Sequence, residues 1–281
     1  MPPAPSARTY RGTPRNVALL ARALRAGELV AVPTETVYGL AGNALDPAAC
    51  KNIFRAKGRP ADDPLIVHLY AARQLATIAV PNEAAERLAR AFWPGPLTLV
   101  LPKQPAIPDI VSAGLPTVAV RVPSHPLFRR LLRAAGLPLA APSANPFGYV
   151  SPTTADHVSA GLGSKIRHIL DGGPCRIGVE STIVDVRDPL KPRLLRPGAI
   201  PREALEHVLG RALGTRRKSA AHGAQVAPGL LARHYSPRTP AVLHSRILPA
   251  DAAKGGPREA WVFVARPKQL RGANIFWLDP R

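Results

Sequence analysis

The sequence predicts an α/β fold in which helices cover a sheet on at least one face. Helical and strand patterns alternate along residues 13–213, which is typical of that class. The strand segments are also continuously apolar, as in LTLVL (97–101), and such segments favour strands that are buried on both faces. Parallel, antiparallel and mixed pairing of these strands all remain open at this point.

The elements begin after a tail, residues 1–12, that we expect to be flexible. Thr13 and Pro14 combine a hydroxyl cap with a proline at the first helical position, so a helix begins there and ends at Gly27. Asp46 and Pro47 begin a second helix in the same way. Further helices are predicted at 82–93, from Ser124 onward, and at 201–213, with strands at 29–42, 64–69, 97–101, 117–122, 137–145, 165–170 and 180–186.

The pattern changes after residue 213, which ends the predicted catalytic domain at 13–213. Residues 214–239 are polar, punctuated by Gly and Pro and without a period, so they predict a linker or lid. Three strand-like runs follow at 241–245, 260–265 and 274–278. We expect residues 240–281 to form a partial C-terminal α/β domain, since so few residues are at the lower edge of an independent domain.

Composition limits the classes of function. The chain has 281 residues, a net charge of +20 and 5% aromatic residues; the charge suggests an anionic partner such as a nucleotide or nucleic acid, although an arginine-rich coding bias explains it equally well. Two cysteines are too few for a disulfide framework or a zinc site. No apolar run reaches about 18 residues and no signal peptide pattern precedes the first helix, so we expect a cytoplasmic protein.

Standard nucleotide and hydrolase signatures are missing from the sequence. It contains no phosphate-loop motif, no G-x-G-x-x-G after a strand, no H-E-x-x-H and no G-x-S-x-G. The strongest positive signal is KGRP (57–60), a Gly/Pro loop ahead of the apolar run PLIVHL (64–69). It carries Lys57 and Arg59, and because a loop residue need not lie in the core, we expect alanine at either position to leave the fold intact. A point charge and a guanidinium fork together suit a polyphosphate, or a phosphate with a carboxylate.

Several weaker signals follow at the ends of predicted strands, where ligands often bind in α/β sheets. PTETVY (33–38) places two threonines on one face, and PSAN (142–145) offers a hydroxyl and an amide. GVES (178–181) precedes a strand, LLRPG (194–198) ends one, and RHYSP (233–237) puts an aromatic ring in the linker. Each of these alone is as readily explained by ordinary strand-end turns or structural side chains.

Taken in order, these motifs resemble the YrdC family of L-threonylcarbamoyladenylate synthases. The resemblance rests on KGR, the L-I-V-H strand, R-V-P, S-A-N, E-S-T-I-V-D and L-R-P-G, and it covers roughly residues 14–213. The linker and the strands after it are similar to the long form of that enzyme, with a second domain that is apparently truncated here. The resemblance implies a twisted open sheet with flanking helices.

The resemblance implies a nucleotidyltransferase that makes threonylcarbamoyl-AMP and pyrophosphate from L-threonine, bicarbonate and ATP, for threonylcarbamoyl-adenosine modification of tRNA. Mg²⁺ would enter with ATP, and no metal ligand among the protein side chains is assigned. The catalytic residues carried over are Lys57, Arg59, Ser143 and Asn145. The same four residues would bind ATP together with Asp63, Thr117, Ser151, Arg196 and Tyr235, while L-threonine would contact Thr36, His68, Arg121, Ala141 and Ser181.

Two departures from the family pattern stand out. Asp62 and Asp63 follow KGRP where the family usually has an asparagine at the second position, and a carboxylate near a triphosphate repels it unless it faces Mg²⁺ or solvent. The shortened C-terminal region also leaves open whether Tyr235 covers the nucleotide.

The expected partners are the three substrates and a downstream tRNA-modifying transferase complex, without a membrane. A weak RNA contact through the basic surface is left open. Two rival interpretations are a non-catalytic RNA-binding protein, which the scarcity of aromatic residues disfavours, and a carbamoyl-transfer enzyme. Chains of the second kind carry an acylphosphatase-like segment and zinc-finger cysteines, which this sequence lacks.

Overall fold

The structure is a computed structural model, and its residues divide into two compact units, Met1–Ser236 and Pro237–Arg281. The residues that it describes are 7–215, 224–229, 242–245, 256, 258–266, 272 and 274–278. In these residues no helix has the length and hydropathy needed to cross a bilayer.

Eight α-helices of the first unit lie in the described residues. They are α1 (Pro14–Arg25), α2 (Pro47–Lys57), α3 (Leu75–Ile78), α4 (Glu83–Phe92), α5 (Asp109–Ser112), α6 (Pro126–Ala135), α7 (Ala155–Leu162) and α8 (Arg202–Leu209), with a 3-10 helix at Ala72–Gln74. The predicted start of α1 is confirmed, since Thr13 Oγ1 accepts a hydrogen bond from the Asn16 N–H at 3.2 Å. Asp46 caps α2 in the same manner.

Eleven strands of the first unit form one mixed sheet. They are β1 (Arg8–Arg11), β2 (Val30–Val32), β3 (Gly39–Asn43), β4 (Ile66–His68), β5 (Leu97–Pro102), β6 (Thr117–Arg121), β7 (Leu139–Ala140), β8 (His168–Asp171), β9 (Thr182–Asp185), β10 (Arg193–Arg196) and β11 (Gly214–Thr215). Their order across the sheet is β1-β8-β2-β3-β7-β4-β6-β5-β9-β10-β11. Both parallel pairs such as β4–β6 and antiparallel pairs such as β5–β6 are present, so the sheet is mixed.

The two faces of this sheet are covered differently. On β2, Val30 and Val32 pack with apolar residues of α1 and α6, while Ala31 joins a larger core with α2, α4, α7 and α8. Because successive strand side chains point to opposite faces, these two cores lie on opposite sides of the sheet.

On β4 and β6 the same alternation leaves Ile66 and Ala119 on the face of α1 and α6, but in a separate small cluster with Ala227. Polar side chains can therefore line this face between α1/α6 and the segment at 224–229.

Three expectations for the termini and linker are corrected. The tail at 1–12 is not loose throughout, since Arg8–Arg11 form β1 and pair in parallel with β8. The linker at 214–239 begins inside the sheet as β11, which pairs with β10. The run at 241–245 is described only at 242–245, and those four residues do not form a strand.

Within the first unit, α6 is capped at His125 rather than Ser124, and no side chain caps it. The strand expected to end at LLRPG is present as β10, while no pattern in the sequence predicts the short helices α3, α5 and α7.

The second unit contains a two-stranded parallel sheet in its described part. It pairs β12 (Trp261–Phe263) with β13 (Ile275–Trp277) in register from Trp261 opposite Ile275. These strands confirm two of the three strand-like runs predicted after the linker.

At Gly198 the turn after β10 closely approaches the backbone at the start of β9. A Cβ at Gly198 would lie 2.4 Å from the Thr182 nitrogen and 2.6 Å from the Glu180 carbonyl oxygen, and backbone atoms cannot yield as a flexible side chain can. We expect Gly198→Ala to lower the free energy of unfolding by about 1–3 kcal/mol, measured by chemical denaturation. Gly256→Ala is the control, since no heavy atom of the described residues lies within 4 Å of its added Cβ; equal stability of both variants would contradict this packing.

Candidate functional site

A cleft with about 700 Å³ of empty space lies on the sheet face between α1/α6 and the segment at 224–229. Its floor includes Ile66 and His68 of β4 and Arg121 of β6, side chains that alternate with core residues such as Val67 and Val120. Eleven of the fourteen residues predicted for the site line this cleft: Thr36, Lys57, Arg59, Asp63, His68, Arg121, Ala141, Ser143, Asn145, Ser181 and Arg196. The structure thus brings together residues that are scattered over 161 positions of the chain, from 36 to 196.

Lys57 differs from the expected loop residue. It is the last residue of α2, which ends because Gly58 adopts the left-handed conformation (φ 63°) that glycine accommodates readily. The side chain is only 3% exposed, so it belongs to the buried wall of the cleft. Lys57→Ala would therefore disturb packing as well as charge, contrary to the idea that this cation could be removed without structural cost.

The Lys57 ammonium is held by the turn that contains the S-A-N motif. Its Nζ donates to the carbonyl oxygens of Ser143 at 2.6 Å and Asn145 at 2.5 Å. An ammonium carries three protons, so one remains for a ligand in the cleft. Burial, and then the charge of Arg59, lowers the pKa of Lys57 well below 10.5, while Asp63 and Glu180 oppose that shift.

Arg59 and Asp63 form a buried ion pair at the same end of the cleft. Arg59 Nη2 lies 2.9 Å from Asp63 Oδ2, and Arg59 also donates to the carbonyls of Asp63 and Pro64. Burial lowers the pKa of Arg59 and raises that of Asp63, and in both cases the charge of the partner opposes burial. The acidic residue that departs from the family pattern thus serves first to hold Arg59, while its Oδ1 is buried without a hydrogen-bond partner.

Asn145 presents an acceptor to the cleft. Its amide nitrogen donates to the carbonyls of Pro146 at 2.9 Å and Tyr149 at 2.7 Å. Because both partners can only accept, the orientation of the amide follows, and Oδ1 is left buried without a hydrogen-bond partner. This oxygen suits a ligand that brings a donor or a cation.

Arg121 is held by a carboxylate that was not assigned from the sequence. Its Nη2 lies 2.7 Å from Glu35 Oε1, with both side chains about 5% exposed or less, and its Nε donates to the Gly95 carbonyl. Burial is the largest single influence on the pKa of Glu35 and would raise it, but the charge of Arg121, its hydrogen bond and backbone N–H groups together outweigh burial, so the pKa lies below 4.5. Arg121 keeps free N–H groups toward the cleft, but its charge is already balanced.

A chain of hydroxyl groups extends from Arg121. Thr34 donates to the Val37 carbonyl at 2.6 Å, so Thr36 is the donor in the 2.8 Å contact between the two threonine hydroxyls. Thr36 Oγ1 in turn accepts from Arg121 Nη1 at 3.0 Å. With its proton used, Thr36 can only accept from a ligand, which suits an ammonium or a hydroxyl group.

His68 is a neutral group at the floor of the cleft. Burial, and then the nearby charge of Arg121, lowers its pKa to about 3. Nδ1 lies 3.2 Å from the Ile66 carbonyl, and the ring packs on Phe128 of α6 at 5.5 Å between centroids. His68 therefore shapes the cleft without adding charge.

Ser181 and Arg196 connect the sheet to the segment after β11. Arg196 Nη2 donates to Ser181 Oγ at 3.1 Å, and that oxygen also lies 2.7 Å from Thr98 Oγ1. Arg196 Nη1 donates to the Pro228 carbonyl at 3.3 Å, so this part of the predicted linker borders the cleft. Burial lowers the pKa of Arg196 to about 10, which still leaves it charged near neutrality.

Ser151 and Glu180 mark the opposite rim. Ser151 donates to Glu180 Oε1 at 2.6 Å, and both line a second cavity that adjoins the cleft and shares Glu180, Arg196 and Gly229 with it. In the sequence Glu180 stands out only as part of the G-V-E-S motif, and that motif does not predict a place on the cleft wall. Ser151 thus touches the neighbouring cavity rather than the cleft itself.

Thr117 and Tyr235 were also predicted to bind ATP. Thr117 begins β6 and shares the face of Arg121, but it lies four residues away, about 13 Å along the strand, and does not line the cleft. Tyr235 lies outside the described residues. Within the described part of the chain, no three His, Cys, Asp or Glu side chains form a group that could hold a metal ion.

Family models match almost the whole chain. Residues 22–198 match the Sua5/YciO/YrdC model, described as "Telomere recombination". Residues 200–278 match a model described as "Threonylcarbamoyl-AMP synthase, C-terminal domain", so the region expected to be a partial domain has a family of its own.

Similar curated proteins are named threonylcarbamoyl-AMP synthase, some of them as putative. A threonylcarbamoyl-AMP synthase of Pyrococcus abyssi is 52% identical over 76% of this chain, and one of Bacillus subtilis is 49% identical over 80%. The chain spans only 63% and 65% of the length of these two relatives. A putative threonylcarbamoyl-AMP synthase of Mycobacterium tuberculosis is 38% identical, with 70% of this chain and 90% of the relative covered.

Solved structures agree with these relatives. The structure of P. abyssi Sua5 complexed with L-threonine matches with a TM-score of 0.77 and 48% identity, over 82% of this chain and 68% of that one. E. coli YciO matches with a TM-score of 0.64 at 22% identity, over 71% of this chain and 99% of that one, which supports the fold.

The ion pair between Glu35 and Arg121 predicts a distinctive dependence of stability on pH. A carboxylate whose pKa is lowered in the fold stabilises it above the unfolded pKa, and this contribution is lost as pH falls through the folded pKa. We expect Glu35→Gln to lower the free energy of unfolding at pH 7 by about 3–5 kcal/mol, because Arg121 is left buried and unbalanced.

The difference in free energy of unfolding between the Glu35→Gln variant and the unmodified chain should shrink as the pH falls from 5 to 3. Chemical denaturation at each pH measures this difference. Glu203→Gln, which alters an exposed carboxylate on α8, controls for the loss of a carboxylate as such. A difference that stays constant over this range would show that the charge of Glu35 does not stabilise the fold.

Proposed function

This chain belongs to the Sua5/YciO/YrdC family, and we propose that it is an L-threonylcarbamoyladenylate synthase. In this reaction the nitrogen of L-threonine is carboxylated by bicarbonate, and a carbamate oxygen attacks the α-phosphate of ATP. Threonylcarbamoyl-AMP forms and pyrophosphate leaves, which makes the enzyme a nucleotidyltransferase.

One observation carries the proposal above the others: a single cleft holds three cations at one end and a neutral, hydroxyl-lined recess at the other. Lys57 is buried, Arg59 and Arg196 are partly buried, and all three line the cleft. The recess around Thr36 and His68 is suited to a zwitterion, because the Arg121 charge beside it is balanced by Glu35.

The cationic end suits the triphosphate of ATP. Phosphoryl and nucleotidyl transfer need positioning and charge stabilisation more than covalent chemistry from the protein. The Arg59 fork is fixed by Asp63 and two carbonyls, so its direction is set before a ligand arrives, which is the condition for effective electrostatic stabilisation. Lys57 adds a point charge from the helix end, and Ser143 and Asn145 supply neutral groups beside it.

The recess suits L-threonine. The free N–H groups of Arg121 can pair with the carboxylate of the amino acid, and Thr36 can only accept, which matches the ammonium or the hydroxyl of threonine. Ala141 and His68 add apolar surface where a methyl group could pack. The relative from P. abyssi, whose structure contains L-threonine, supports this choice of substrate.

Mg²⁺ would enter with ATP in this proposal. The described residues include no cluster of three acidic or imidazole ligands, which fits an ion held mainly by phosphate oxygens and water. The buried oxygens without partners, Asp63 Oδ1 and Asn145 Oδ1, are of the type that Mg²⁺ prefers. When bound, Mg²⁺ would neutralise part of the charge on the triphosphate, while Arg59 and Lys57 attract the carbamate and the leaving pyrophosphate.

The product would be passed to a downstream transferase complex that modifies an adenosine of certain tRNAs. A mixed anhydride of a carbamate and a phosphate is reactive toward water, so prompt transfer suits its chemistry. A cytoplasmic setting fits this role, and direct contact with RNA through the basic surface is not required by it.

The proposed reaction can be tested with the purified chain, L-threonine, bicarbonate and Mg-ATP. We expect pyrophosphate release and an adenylate of threonylcarbamate, detected by rapid chromatography and mass spectrometry, only when all three substrates are present. Omission of each substrate in turn provides the controls. Folded protein that binds ATP but yields no adenylate would contradict the proposal for this chain.

The lowered pKa of Lys57 predicts that the protein takes up protons when ATP binds. The triphosphate raises the pKa of the Lys57 ammonium, which burial lowers in the free protein. At pH 8.5, where ATP is fully ionised, calorimetry in buffers of different ionisation enthalpy should show uptake of protons on binding. Uptake should be lost in Lys57→Met; the same uptake in both proteins would show that another group titrates.

A further inference from the structure

Carboxylation of threonine leaves one proton without an acceptor. An N–C bond forms and a C–O bond of bicarbonate breaks; the departing hydroxide takes one proton of the ammonium and becomes water, and a second proton must go elsewhere. This proton balance belongs to the reaction proposed above, so the inference rests on that proposed function. The cleft therefore needs a base near the junction of the amino acid and the nucleotide.

The described cleft wall offers two carboxylates and one imidazole for that task. Asp63 is engaged in the ion pair with Arg59 at 2.9 Å. His68 would accept a proton only near pH 3, and its Nδ1 faces a carbonyl oxygen. Glu180 lines the cleft and, among the described residues, is in contact with no basic side chain within 4 Å, so its carboxylate is the one left available.

Backbone and side-chain contacts place Glu180 at the junction. The Gly178 N–H, two residues earlier, donates to the Thr36 carbonyl at 2.9 Å, and Ser181 follows directly, so Glu180 lies between two residues of the threonine end. From the nucleotide side, Ser151 donates to Oε1 at 2.6 Å. In the described part of the chain no hydrogen bond reaches the other oxygen, Oε2, so it is available to a substrate.

Charge supplies a second argument. Glu180 is close enough to Lys57 and Arg196 to raise the pKa of both, so it favours their charged forms, but its own negative charge offsets part of the attraction that they exert on a triphosphate. A carboxylate at this position opposes ATP binding, and a role in chemistry explains its presence. The same cations favour loss of a proton from a bound ammonium nearby.

We propose that Glu180 is the catalytic base that takes the second proton from the threonine nitrogen as the carbamate forms, with Ser151 positioning its carboxylate. The protonated Glu180 then returns its proton to solvent, and the carbamate proceeds to the α-phosphate. No oxidant or further reactant is needed.

Glu180→Gln is the direct test, because the amide keeps the shape and removes the base. We expect kcat at pH 7 to fall by about 10²- to 10⁴-fold, while Mg-ATP binds at least as tightly as before, since a repulsive charge is gone. The activity of the variant should rise tenfold per pH unit between pH 7 and 9, as free amine becomes available, and exceed the gain of the unmodified enzyme. Ser151→Ala should lower kcat less.

Glu203→Gln, an exposed carboxylate on α8, is the matched control and should leave kcat unchanged. A folded Glu180→Gln variant with full kcat and the native pH profile would overturn the assignment; so would weaker ATP binding with a proportional fall in kcat, which indicates a structural role. Glu180→Asp, which keeps the acid, should recover part of the activity. If the unmodified chain makes no adenylate from the three substrates, the proposed function itself fails, before the variants are compared.

Discussion

Burial of basic side chains in one cleft is the constraint on which the rest of the structure depends. A cation removed from water is costly unless it is paired or hydrogen-bonded, and each one here has a dedicated partner. Asp63 and Glu35 balance Arg59 and Arg121, while carbonyl groups hold the Lys57 ammonium. Asp63 is only four residues from Arg59, but Glu35 and the two carbonyl groups are far in sequence from the cations that they hold. Arg121 and Lys57 are therefore held only when the sheet has formed, and the same contacts fix their directions toward a ligand.

The sheet explains why the cleft lies where it does. One face is closed by α2, α4, α7 and α8, and the other is covered by α1 and α6 only over part of its width. The strands between carry apolar residues toward the closed face and residues such as His68, Arg121 and Ser181 toward the open one. The segment at 224–229 borders that opening, with Ala227 packed on the strands and the Pro228 carbonyl bound to Arg196. A mixed sheet with one partly open face thus provides the floor on which the polar groups of the cleft are positioned.

Much of the fold could be predicted from periodicity and caps, as α1 and α2 show, because Thr13 and Asp46 act locally. The short strand β1 could not, since its sequence, RTYR, lacks an apolar pattern and its pairing depends on the distant strand β8. The helical place of Lys57 was predictable in principle, because a glycine after a helix often adopts the left-handed conformation. The convergence of Lys57, Arg59, Ser143 and Asn145 came from the family resemblance, and no local signal indicated that Glu35 would pair with Arg121. Contacts between residues so far apart are decided by the topology of the sheet.

A crystal structure with L-threonine and a non-hydrolysable ATP analogue with Mg²⁺ would test the central claim most directly, namely that one cleft holds both substrates. The account predicts phosphate oxygens against Lys57, Arg59 and Arg196, and the threonine carboxylate on Arg121, with its nitrogen toward Thr36 and Glu180. A nucleotide bound elsewhere on the molecule, with these three cations in contact only with the protein, would contradict it.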